Sequence, residues 1–70
     1  MQKTAAFEEG DAVAITVIEG GYMSKKVLRV AKDQYSDRTN SFKYQLKETK
    51  DSQTMYDGGR WFAEWELKDP

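Results

Sequence analysis

Apolar and polar side chains alternate without a fault over residues 42–47. Phe42, Tyr44 and Leu46 fall on one side, and Lys43, Gln45 and Lys47 on the other. Period two of this kind predicts a strand with one buried face. Residues 12–18 repeat the signal, with Val13, Ile15 and Val17 on one face and Ala14, Thr16 and Ile18 on the other. β-branched side chains lose rotamer freedom in a helix. Gly10 and Gly20-Gly21 also bracket the run, so it reads as a strand. A third run, residues 27–31, sets Leu28 and Val30 against Val27, Arg29 and Ala31, and its pattern extends toward Tyr35. Residues 54–56 and 60–63 predict two shorter strands. Residues 64–67 either extend the last strand or form one 3₁₀ turn, which would push Trp65 outward, before a final short strand.

The stretches between these runs carry turn chemistry. Glu9-Gly10-Asp11 is a turn signal, and Ser36-Asp37-Arg38-Thr39-Asn40-Ser41 is a polar hairpin loop. Asp57-Gly58-Gly59 is the strongest tight-hairpin signal in the chain. Short strands with turns every eight to twelve residues predict an all-β fold, a small five-stranded antiparallel barrel or two orthogonal sheets, with a 3₁₀ turn near the C-terminus as an option. Curling the sheet limits the edges that a flat sheet would leave open. Val13, Ile15, Val17, Leu28, Val30, Phe42, Tyr44, Leu46, Phe62 and Leu67 form the expected core.

Seventy residues allow one domain, spanning 1–70. Only twelve of them are Leu, Ile, Val or Phe, so the aliphatic core is thin and the nine aromatics must supply burial area. The absence of Cys and His removes disulfides, the usual zinc sites and every Ser-His or Cys-His pair. No run of 18 apolar residues predicts a membrane span, and the N-terminus lacks a secretory apolar stretch. The expected location is therefore intracellular, cytoplasmic or nuclear, with no membrane partner. The net charge of −1 hides an asymmetry: residues 25–50 hold eight bases and three acids, whereas both flanks are acidic.

The opening Phe7-Glu8-Glu9-Gly10-Asp11-Ala12-Val13 resembles the hydrophobic-x-x-Gly-Asp-x-Val start of many SH3-like barrels, including Tudor, chromo-barrel and KOW-type modules. The tail from Gly59 to Leu67 resembles their closing pattern, Gly-x-Trp-hydrophobic-x-Glu-x-x-Leu. With Tyr44-Gln45-Leu46-Lys47 between them, the chain is similar to small uncharacterised fungal single-domain proteins. The resemblance implies core roles for Val13, Phe62 and Leu67. The Ala-Leu-Tyr-Asp-Tyr signature of peptide-binding SH3 domains is missing, and fold likeness alone supplies no function.

Tyr56, Trp61, Phe62 and Trp65 crowd into ten residues and cannot all point one way in a strand. Aromatic faces beside acids hold cations, as in methyl-lysine cages. Tyr22, Tyr56, Trp61 and Trp65, with Asp57 or Glu64, are the candidate ligand-binding set. The competing reading is that these rings fill a Leu-poor core. The basic middle of the chain gives a second candidate, a weak nucleic-acid surface of Lys25, Lys26, Arg29, Lys43 and Lys47, with Lys32 and Arg38 nearby. Its competing reading is a solvated strand face. Carboxylate pairs such as Glu64 and Glu66 lack the cleft a glycosidase needs. No calcium loop or phosphate loop appears, and the Gly pairs sit at turns. The chain is thus expected to be a non-catalytic protein-binding module without metal or cofactor. It would dock a protein segment through an aromatic patch and an open strand edge. A third possibility is a structural subunit whose partner covers the aromatics.

Overall fold

The computed structural model describes residues 5–70, so residues 1–4 of the expected domain lie outside the described residues. Four strands form one antiparallel sheet in the order β1-β2-β3-β4: β1 (Ala12–Glu19), β2 (Tyr22–Ser36), β3 (Ser41–Lys47) and β4 (Phe62–Ala63). Two 3₁₀ turns, Tyr56–Gly59 and Glu64–Glu66, flank β4. Among the described residues, no helix is long and apolar enough to cross a membrane.

β2 is the spine. Its first half pairs with β1, from Ala12↔Arg29 to Glu19↔Tyr22. Its second half pairs with β3, from Arg29↔Lys47 to Ser36↔Ser41. The changeover coincides with a bulge between Val30 and Lys32. A bulge bends its strand and raises the local twist, which curls the sheet. It also resets the side-chain phase, so Tyr35 joins Phe42 on the inner face, their rings 5.2 Å apart. Past β4 the chain returns to β1, where Ala14 and Lys68 exchange two backbone hydrogen bonds of 2.8 and 3.0 Å.

The inner face carries the core: Val13, Ile15, Leu28, Val30, Tyr44, Leu46, Phe62 and Leu67 are buried, and Val17, Phe42, Phe7 and Tyr56 pack against them. The expected core is therefore correct in composition, with Val17 and Phe42 only half-buried. Phe7 adds an edge-on ring contact to Tyr44 at 5.8 Å.

Three expectations need correction. The second strand starts at Tyr22 instead of Val27. Gly20 and Gly21 both take positive φ, +58° and +85°, which makes a two-residue turn whose twist lets the strands pair up to Glu19↔Tyr22. The sheet has four strands and not five, because residues 54–56 form none and Arg60 and Trp61 lie before β4. Asp57 and Gly58 do adopt left-handed backbone angles, as an Asp-Gly turn should, but no paired strands flank them. Tyr56 instead turns inward toward Phe62, and Gln45 Nε2 donates to the Gly59 carbonyl at 2.7 Å. Side-chain anchoring replaces the ladder. The expected last strand is reduced to the single bridge at Lys68.

Candidate functional site

The closing segment explains how Trp65 reaches the surface. The Glu66 carboxylate accepts the Ala63 N–H at 2.7 Å, which caps the 3₁₀ turn and breaks the strand phase after Ala63. Phe62 stays buried, and Trp65 swings outward to 81% exposure. Glu66 also meets Arg60 at 3.5 Å. The indole of Trp65 then stands as a ridge between two surface grooves. One, about 360 Å³, is lined by Ile15, Thr16, Arg60, Phe62, Glu66 and Lys68. The other, about 530 Å³, lies against the β2–β3 loop and is lined by Arg38, Ser41, Lys43 and Trp61. Phe62 and Trp65 line both, so the two grooves lie on either side of one indole.

The first groove adjoins an open strand edge. Ala14 directs its N–H and carbonyl to Lys68, away from β2. In an antiparallel strand these directions alternate, so Thr16 and Ile18 point their backbone groups the same way. Among the described residues, no backbone group bonds them on that edge.

The four expected ligand-binding aromatics do not form one cage. Trp61 and Trp65 meet in the larger groove. Tyr56 is half-buried beside Phe62, at 6.2 Å between rings, and Tyr22 sits exposed beside the Gly20-Gly21 turn, 79% accessible. Two of these four rings, and the neighbouring Phe62, already carry a cation from the chain itself. Lys43 Nζ lies 5.0 Å from the Trp61 centroid, Lys26 Nζ 5.8 Å from Tyr56, and Arg60 Cζ 4.8 Å from Phe62. The expected acids are also engaged. Glu64 Oε1 accepts from the Tyr44 hydroxyl at 2.6 Å and from the Ala6 N–H at 3.0 Å. Asp57 lies 4.0 Å from Arg60. At Tyr56 and Trp61 an incoming cation would meet a ring already faced by positive charge. Trp61 and Trp65 thus border grooves that also hold Arg38, Lys43, Arg60, Glu66 and Lys68.

Burial, helped by the Glu64 carboxylate, pushes the Tyr44 phenol up to about 12. The neutral phenol is the form that donates to Glu64 and holds the closing segment onto β3. The Glu of the closing motif is thus a tie between N-terminal, central and C-terminal segments, a role its spacing did not reveal.

The basic candidates divide between the two faces. Leu28 and Val30 face inward, so Lys25 and Arg29 face outward, as do Lys43 and Lys47 opposite Tyr44 and Leu46. Arg29 and Lys47 are direct cross-strand partners, and Lys32 pairs with Gln45 on the same outer face. Lys26 departs from the set: it faces inward and pairs with Glu48 at 3.4 Å. No family model, curated protein or solved structure matches this chain.

Proposed function

We propose that this chain is a non-catalytic binding module, built as a small SH3-like barrel, that docks an extended protein segment. Supporting the barrel reading are the curled antiparallel order and the return of Lys68 to β1. The observation that carries the binding reading is the adjacency of a free β1 edge at Thr16 and Ile18 to a groove walled by Phe62 and Trp65. Strand addition draws affinity from backbone hydrogen bonds and selectivity from pockets for alternate side chains. The edge offers the first and the groove the second.

Selection from a displayed library of extended peptides tests this. Ile18→Pro removes an N–H that faces solvent, a position where an edge strand accepts Pro. Trp65→Ala removes an exposed ring. Both variants are expected to stay folded and to lose about 30-fold or more in affinity for a selected peptide. Binding unchanged in both would sink the proposal.

The row of Lys25, Arg29, Lys32, Lys43 and Lys47 on one outer face favours a second reading, weak nucleic-acid binding. It requires affinity that falls steeply with salt. A low-salt oligonucleotide titration without binding, or without salt dependence, would discard it.

A further inference from the structure

The larger groove has a chemistry of its own. Lys43 and Arg38 line it, and among the described residues neither is paired with a carboxylate. Ser36, Thr39 and Ser41 add hydroxyl groups, with the Thr39 and Ser41 oxygens 2.9 Å apart. Lys43 rests over the Trp61 ring, which holds its ammonium at the groove wall. In the smaller groove Lys68 stands near Arg60, whose guanidinium is already paired with Glu66 and Asp57. A third depression, about 250 Å³, adds Lys25 and Lys68 beside Ala14 and Thr16 on the β1 edge. The acids along the way are partly spent: Glu66 is held by Arg60 and the Ala63 N–H, leaving Asp69 at the far end.

We infer that the segment docked on the β1 edge is acidic, and that the groove between Trp61, Trp65, Lys43 and Arg38 receives its carboxylate side chains. This rests on the docking reading above and names the chemistry of its partner. Arg38 and Lys43 in this groove, unpaired among the described residues, select such a segment by charge complementarity, which steers the encounter and rejects basic competitors. Hydroxyl donors at the groove then bond carboxylate oxygens at short range. Trp65 lines both grooves, so one extended segment laid across its indole reaches from the strand edge to this groove.

Three synthetic peptides decide the matter. They share a central Val-Thr-Val-Thr-Val strand and differ in a flank of three Glu, three Gln or three Lys. Backbone amide shifts of the whole chain are followed by NMR at low and at moderate salt. The Glu peptide is expected to bind about ten-fold more tightly than the Gln peptide at low salt, and the Lys peptide more weakly still. The Glu preference should shrink with salt and vanish in the double variant Arg38→Glu with Lys43→Glu. It should persist in Lys32→Glu with Lys47→Glu, which do not line the groove. Arg38→Gln with Lys43→Gln serves where charge reversal unfolds the protein, and it should reduce the preference at least three-fold. Equal binding of all three peptides, with shifts at Thr16 and Ile18, leaves docking intact and overturns the acidic inference. No binding by any peptide overturns both. Shifts at Trp61 and Lys43 with an oligothymidine instead would assign the groove to nucleic acid and also overturn the inference.

Discussion

Tyr44 is the residue on which the fold closes. It is fully buried, its ring meets Phe7, and its hydroxyl donates to Glu64 across 20 residues of sequence. Because its phenol ionises near 12 instead of 10.0, an unfolded chain releases that proton first as pH rises. The stabilising contribution is therefore complete below pH 10 and is lost between pH 10 and 12. Denaturation midpoints measured across that window should fall, and Tyr44→Phe should fall less while starting about 1 kcal/mol lower. Trp65 is the opposite case. At 81% exposure it stabilises almost nothing, so Trp65→Ala should change stability by about 0.5 kcal/mol or less. Acrylamide should quench Trp65 emission more strongly than that of half-buried Trp61, as single-Trp variants would reveal. Sequence alternation placed Tyr44 inside correctly, since Phe42 and Leu46 share its face. It could not reveal the Glu64 tie, because the partner lies in another element and the bond exists only when both are folded.

At the scale of elements, turn chemistry decided the pairing. Gly20 and Gly21 both need positive φ, and that geometry extends the β1–β2 ladder to its last pair. Gly20→Val should cost about 1–2 kcal/mol, whereas Gly20→Asn should cost well under that, since Asn tolerates left-handed angles. Thermal unfolding of the two variants checks the difference. The same residue types at Asp57 and Gly58 produced a turn without a hairpin. Local angles were legible there, but the flanking segments found better partners. Tyr56 moved toward Phe62, and Gln45 bonded the Gly59 carbonyl. The bulge at Ala31 was hidden for a related reason. Residues 30–35 alternate poorly, and the phase is reset by cross-strand contact between Tyr35 and Phe42.

The whole molecule measures 43 × 26 × 21 Å, elongated for its 70 residues, and depends on one small cluster of buried side chains. A core of this size supplies about 3–5 kcal/mol net. Removing one fully buried aliphatic side chain costs about 2–5 kcal/mol. Leu46→Ala should therefore leave the chain largely unfolded at 25 °C, seen as collapsed amide dispersion. Val17→Ala, at a half-buried position, should remain folded. Period-two alternation determined the inner faces of β1, β2 and β3, because a buried face imposes its chemistry on every second residue. Tyr and Phe took the space that Leu, Ile and Val were too few to fill. Which aromatics became core and which became surface was decided only in three dimensions. Glu66 caps a turn after Ala63, and that turn buries Phe62 while exposing Trp65. The charge around them was likewise settled by register, which sets Lys43 over Trp61 and spends Glu64 on Tyr44. Alternation is a local property of the chain, whereas a groove and its charge arise from residues that meet only when the sheet curls.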